Sequence, residues 1–442
     1  MKIEITNQGK WHQSLTVKLG LLAFLGIFIL IPLQMIKEII LERQTAAEKV
    51  KKEIGSQWAE VQYVAGPVLN IPVKTIPSDK EEKPKTIIWH IMPESLNVNG
   101  TLDPEKRYRG IYQSVVYSSV IHLTGEFILP ESSESQNYTL LMNDAYITMG
   151  ISDNRGLKGD VTLKAGTGTL HADPGVRDQD LFQSGITFSS PLPSDMKNFS
   201  FSIDLNLSGS EGIYFTPVGK TTKVHLQSQW NSPSFSGSFL PSSRKIDEKG
   251  FSADWDITHL NRNFPQNWKG NAFNTRESAF GLDLFLPVDH YQKSWRSARY
   301  GILFIALTFL VLIFLEITRK EPIHIFNYFL VSLALILFFS LLNALSEQTG
   351  FNMAYLISSA STIFLITLFT GALFRNRKTA FIVFGMLVML YTFIYILLTL
   401  NDYAYLAGNI GLFVLLAIVM SLAARMKIFR NELSGESPDK AE

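Results

Sequence analysis

The sequence contains no cysteine. That excludes disulfides, thiolate zinc sites, iron–sulfur clusters and cysteine nucleophiles. It leaves the compartment open, because a cysteine-free chain is compatible with any redox environment. Charge is also scarce: 18% of the 442 residues are charged, against about a quarter in an ordinary soluble domain. The 40 basic and 39 acidic side chains leave a formal charge of +1, which excludes a polybasic nucleic-acid binder and an acidic solvating tail. No internal repeat is visible, and inverted halves of the kind many transporters show are not evident. What the chain does have is 46% hydrophobic residues and 31 phenylalanines, a composition that points to lipid.

A charge at the centre of a spanning helix costs about 2.5–3.5 kcal/mol to insert, so uncharged runs locate the spans. They cover 19–36, 300–315, 322–346, 348–374, 379–401 and 403–424. Six transmembrane helices are therefore expected, at 19–40, 300–318, 324–345, 353–374, 380–400 and 404–424. Lys2, Lys10 and Lys18 precede the first; Arg319 and Lys320 follow the second, Arg375, Arg377 and Lys378 the fourth, and Arg425, Lys427 and Arg430 the sixth. The alternate short connections, 346–352 and 401–403, hold no Lys or Arg. Positive charge on cytoplasmic turns predicts that both termini, 1–18 and 425–442, are cytoplasmic, and that 41–299 is periplasmic. The first run could instead be read as a cleaved signal peptide. It exceeds the usual ~7–15 apolar residues and no A-x-A-like site abuts it, which favours an uncleaved anchor. Ile36, Ile39, Ile40, Ala47, Val50 and Ile54 extend that helix as an amphipathic stalk to Gly55.

From Trp58 the pattern changes to period two. Phe199, Phe201, Ile203, Leu205 and Leu207 alternate with polar residues; Phe280, Leu282, Leu284 and Leu286 repeat the spacing, and so do Leu96, Val98 and Leu102 around Gly100. These read as one-sided strands. Gly66-Pro67, Pro191-Leu192-Pro193 and Ser208-Gly209 are expected turns between them, and Asp79–Lys83 with Pro84 a solvated loop. The fold class is a helical membrane part of six spans plus a large, mainly-β, sandwich-like extracytoplasmic domain. One domain of two sheets and two small β-lobes both remain open.

Catalytic and cofactor patterns are missing. The eight histidines include no His-x-x-x-His pair and no H-E-x-x-H, and His225 falls on the solvated face of its strand. Ala165-Gly166-Thr167-Gly168-Thr169 lacks the Lys-Ser/Thr end of a phosphate loop and reads as a turn. Ser358, Ser359 and Ser361 lie roughly 15–20 Å in depth from His324 at ~1.5 Å per residue, so they fit helix packing better than a nucleophile–base pair. No cofactor, metal or catalytic residue is expected. Among intramembrane polar residues, Glu316 faces Arg319 and Lys320 at i+3 and i+4, Glu347 sits in an outer turn, and Asn343 is placed to hydrogen-bond a neighbouring helix. Structural pairing and a coupling role both stand for Glu316, the first favoured.

Several stretches together resemble the CreD family of bacterial inner-membrane, cell-envelope-integrity proteins. The densest runs Trp230-Asn-Ser-Pro233-Ser-Phe235-Ser-Gly237-Ser-Phe239-Leu-Pro241, followed by Gly250-Phe251 and Trp255. It is similar to that family's W-x-x-P-S-F-x-G-x-F-L-P signature. Gly66-Pro67-Val68, Arg109-Gly110-Ile111-Tyr112, Asp153-Asn-Arg155-Gly156, Asp289-His-Tyr291 and Leu345-Ser-Glu347-Gln-Thr-Gly350-Phe351 add to it; some relatives have His where this chain has Gln348. The resemblance implies an envelope-maintenance and stress-response role, with no catalytic residue to carry over. Two readings of the aromatic stretch follow from its chemistry: a core corner between sheets, or an exposed docking surface for an envelope protein or glycan. Arg155 likewise fits a local turn salt bridge better than an anionic ligand. The leading expectation is a non-enzymatic, bilayer-embedded protein whose β-domain binds or senses an envelope component. The alternative is a transporter or lipid-handling protein working through the C-terminal helices.

Overall fold

The computed structural model describes residues 15–75, 84–129, 138–166, 168–189, 191, 197–286, 290–319 and 321–400, with scattered positions between 406 and 421. It divides into two compact units. One holds Met1–Thr45 with Val288–Glu442, the other Ala46–Pro287.

The helical unit begins with α1 (Leu15–Trp58), of which the part up to Thr45 belongs here. Leu22, Leu25, Ile29, Leu33, Ile36 and Ile40 are buried at steps of three and four, and Phe24, Ile27, Phe28, Ile31 and Met35 on the opposite side are exposed. A helix apolar on every side belongs in lipid or a large core. After the β unit come α2 (His290–Arg299), α3 (Gly301–Arg319), α4 (Ile325–Thr349), α5 (Phe351–Phe374) and α6 (Arg377–Thr399). Among the described residues five helices, α1 and α3 to α6, are long and apolar enough to cross a membrane. The sixth expected span, 404–424, lies largely outside the described residues. His324 caps α4, its Nδ1 accepting the Phe326 N–H at 3.2 Å. Aromatic edges fill the centre: Phe304, Phe338, Phe339, Tyr355 and Tyr391 meet ring to ring. Ser358 and Ser359 are buried between helices, but Ser361 is exposed and donates to its own Ile357 carbonyl. Its role is therefore local, not the packing expected of all three serines.

In the β unit the strands are, in order, β1 (Gln62–Thr75), β2 (Thr86–Ile91), β3 (Ser95–Arg109), β4 (Tyr112–Ile128), β5 (Tyr138–Leu140), β6 (Tyr146–Ile151), β7 (Thr162–Ala165), β8 (Gly168–Pro174) and β9 (Gly185–Ser189). They continue with β10 (Asn198–Ser210), β11 (Gly212–Thr216), β12 (Thr221–Ser228), β13 (Pro233–Gly237), β14 (Ser243–Asp247), β15 (Gly250–Thr258), β16 (Asn267–Lys269) and β17 (Phe280–Leu284). One sheet runs β14–β15–β12–β3–β4–β10–β7–β8, antiparallel except for β12 with β3. The other is centred on β1, with β11 and β2 along one edge and β6 and β5 along the other. β17 and β13 extend it beyond β11, β16 beyond β2, and β9 and then β8 beyond β6. β8 pairs in both sheets and joins them into one body. The alternation read from the sequence is realised in β10, where Phe199, Phe201, Ile203, Leu205 and Leu207 are all buried.

Three expected breaks are not breaks. Gly66-Pro67 lies inside β1, at a bulge where the register with β6 shifts between Ala65 and Val68. A proline without an N–H is tolerated where the ladder is interrupted. Ser208-Gly209 lies inside β10, where the bare Gly209 backbone makes room for the Tyr117 ring. Gly55 does not end the stalk. α1 runs on to Trp58, and Gly55 presses against Ser210, whose Oγ would lie 2.8 Å from a Cβ there. Gly209 and Gly55 serve close tertiary approach, and Gly66, at φ +111°, serves the backbone conformation of the bulge; none reverses the chain. The 79–83 loop and the Leu192-Pro193 part of the expected turn at Pro191-Leu192-Pro193 fall outside the described residues.

Candidate functional site

The signature stretch forms a corner between the sheets. Trp230 ends the strand-to-strand passage after β12, its Nε1 donating to the Ser232 and Phe285 carbonyls at 3.2 Å each. Lys106 lies over its ring at 5.8 Å. Pro233 opens β13 opposite Leu284, and Phe235 pairs with Leu282. The Phe235 ring meets Phe251 and Trp255 of the other sheet edge-on at 5.9 and 5.8 Å. Trp255 is 2% exposed, and its Nε1 donates to the Phe239 carbonyl at 3.2 Å. Phe239 and Trp255 both touch Phe280. Gly237 has φ +97°, and a Cβ there would lie 2.4 Å from the Ala279 carbonyl oxygen and 2.7 Å from Phe280 Cα, so only glycine fits. Phe235, Phe239 and Pro241 are half-buried, and Leu240 between them is 66% exposed. The rings thus hold the two sheets together and present one apolar tip to the outside.

Arg155 sits in a short 3-10 turn (Asn154–Gly156) and grips Asp153 with Nε at 2.9 Å and an Nη at 2.6 Å. Asp153 also accepts the Glu60 and Arg155 N–H groups. The Arg155 hydrogen bond holds the Asp153 carboxyl below its usual range. A depressed folded pKa means the stabilisation is present above the unfolded value of ~3.9 and is lost as pH falls through the lower folded value. Asp153→Asn is expected to lower stability by at most about 1 kcal/mol at neutral pH. Thermal unfolding of both proteins at several pH values should show that gap closing below about pH 4. His225 is half-exposed and pairs with Asp254 at 2.6 Å across β12 and β15. Its side chain is therefore surface-facing and hydrogen-bonded to a neighbouring strand.

In the helical unit Glu316 binds Lys18 of α1 directly and accepts the Tyr328 hydroxyl at 2.9 Å. Lys18 also donates to the Ile323 carbonyl at 2.6 Å. The expected partners were Arg319 and Lys320. Arg319 is exposed and Lys320 lies outside the described residues, while a cation from another helix satisfies the carboxylate. Sequence neighbours cannot reveal a partner carried on a distant helix. Asn343 is buried, its side-chain oxygen without a hydrogen bond among the described residues, and its carbonyl accepts Ser346 Oγ at 2.9 Å. Its expected hydrogen bond to a neighbouring helix is not formed by that oxygen. Glu347 lies 3.9 Å from Arg43 of α1.

Residue spacing did not disclose a further cluster. His90, Asp178 and Asp180 bring one ligand atom each to within 4.8 Å of one another. His90 stands in register with Asn70 of β1, Asn70 with Tyr146 of β6, and Tyr146 with Ser189 of β9. Directly opposed residues share a face, so this row forms a floor. The 175–184 loop covers it. Tyr146 donates to Asp178, Arg177 donates to Ser189 at 2.6 Å and lies over the Tyr146 ring, and the Asp180 N–H donates to Asp178 at 3.1 Å. Burial lowers the His90 pKa, against the raising effect of Asp178 and Asp180. Burial and then Asp178 push the Tyr146 hydroxyl up, so it stays a donor. The Asp178-x-Asp180 pair was the only available sequence signal; His90 enters through strand register alone.

The sequence model of one family, described as "Inner membrane protein CreD", matches residues 14–428. One curated relative, the "Inner membrane protein CreD" of Escherichia coli (strain K12), is 31% identical over 416 residues, covering 92% of this chain and 90% of the relative.

Proposed function

The chain belongs to the CreD family of inner membrane proteins, and from that premise we propose that it is a non-enzymatic protein of cell-envelope integrity. Its segment 41–299 lies on the periplasmic side, both termini are cytoplasmic, and the β unit binds or senses an envelope protein or glycan while the helices sit in the bilayer. The observation that carries this reading is the β unit itself. It is one compact unit of two joined sheets with a buried apolar interior and shows an exposed Leu240 beside half-buried Phe235 and Phe239. An exposed apolar tip on rigid aromatic support is the form an interaction anchor takes. The charge asymmetry of the short turns supports the orientation.

The absence of native cysteine makes the test direct. In Leu240→Cys the single thiol is expected to react with a membrane-impermeant maleimide in spheroplasts, whereas Lys2→Cys should react only after lysis. Labelling of position 2 before lysis would reverse the orientation. A photo-crosslinker at position 240 in growing cells should trap a discrete envelope protein or peptidoglycan fragment. Adducts to phospholipid alone would discard the partner.

A further inference from the structure

We propose that His90, Asp178 and Asp180 form a binding site in the β unit for a divalent first-row metal of the zinc class, with Asn70 as the group that aims the imidazole. Asn70 fixes the tautomer of the ring. Its amide nitrogen donates to the Val68 carbonyl at 3.1 Å and to Thr148 Oγ1 at 3.0 Å, so its oxygen is the atom facing His90 Nδ1 at 2.7 Å. A carbonyl oxygen only accepts, so the proton of the neutral ring sits on Nδ1 and the lone pair on Nε2. Nε2 is fully buried, has no hydrogen-bond partner among the described residues, and points at Asp180.

The Nε2–Oδ2 separation of 3.5 Å is too long for a hydrogen bond. It is the spacing expected of two ligands of a shared ion: bonds of about 2.0–2.2 Å at a tetrahedral angle put ligand atoms roughly 3.4 Å apart. Asp178 closes the third side and is fixed by the Tyr146 hydroxyl and the Asp180 N–H. A histidine whose second nitrogen is held by a carbonyl, beside an Asp178 carboxylate that is itself hydrogen-bonded, is the outer arrangement metal ligands require. One imidazole with two carboxylates and no thiolate suits zinc or its first-row neighbours better than magnesium or calcium, which prefer all-oxygen sets. Three protein ligands leave a position for water or an anionic group.

The experiment uses the full chain, untagged, in detergent and stripped with a chelator, titrated with Zn²⁺ by calorimetry. The wild type is expected to take up one ion per chain and to melt at higher temperature with Zn²⁺ present. Loss of outer partners alone weakens metal sites about 10–100-fold. Removing a ligand in Asp178→Asn or Asp180→Asn, both isosteric and on a loop, should therefore weaken binding at least ~100-fold. Co²⁺ should give visible bands that Asp180→Asn removes. Wild-type uptake no greater than that of the Asp178→Asn/Asp180→Asn double variant overturns the site, as does unchanged affinity in either single variant. Displacement of Zn²⁺ by equimolar Mg²⁺ overturns the assignment of metal class.

Discussion

Trp255→Ala is expected to cost about 3–5 kcal/mol of β-unit stability. The indole is 2% exposed and packs against Phe235 at 5.8 Å and Phe280 at 5.6 Å. Those rings belong to β13 and β17, and Trp255 to β15 of the other sheet, so the cavity would open at the joint, where both sheets must move to fill it. The half-buried Phe239 carbonyl would also lose its donor, which adds to the loss. Trp255→Phe keeps most of the volume and isolates that second part. Leu240→Ala, at an exposed position, should stay within about 0.5 kcal/mol. Denaturant unfolding in detergent, followed by near-UV circular dichroism, measures all three. A loss below about 1 kcal/mol for Trp255→Ala would mean the corner is not a core element.

The second large effect concerns the Lys18–Glu316 pair. Both side chains are mostly buried, at 16% and 17% exposure. Breaking a buried pair by removing one partner costs about 3–5 kcal/mol, because the other charge is left uncompensated, while replacing both with apolar groups is often neutral. Lys18→Met is therefore expected to destabilise the helical unit severely, with Tyr328 left as the one remaining donor to Glu316 among the described contacts. Glu316→Gln strands the ammonium beside the Ile323 carbonyl, a milder loss because that hydrogen bond survives. The Lys18→Met/Glu316→Leu double variant should recover most of the stability. Thermal aggregation in detergent gives the cycle, and losses that simply add would show that the two residues do not act as a pair.

The stripe Leu22, Leu25, Ile29, Leu33, Ile36 and Ile40 was within reach of sequence reading, as was the alternation in β10, because each pattern is dictated by the period of its own element. Gly209 and Gly55 misled for a common reason. Glycine marks a turn when conformation demands it, and a close approach when a neighbour demands it. Only the neighbour distinguishes the two. The partner of Glu316 was hidden in the same way: Arg319 and Lys320 are adjacent in the chain, but Lys18 is adjacent in space.

By itself, the sequence determined that this chain combines apolar helices with a disulfide-free β region, and which side of the short turns carries positive charge. These follow from local composition and periodicity, where the physics of burial acts on each segment alone. Tertiary structure decided that the aromatic signature is a joint between sheets, that Glu316 answers a lysine on the first helix, and that His90 meets Asp178 and Asp180. Those depend on strand register and helix packing, and register brings together residues that no spacing along the chain relates.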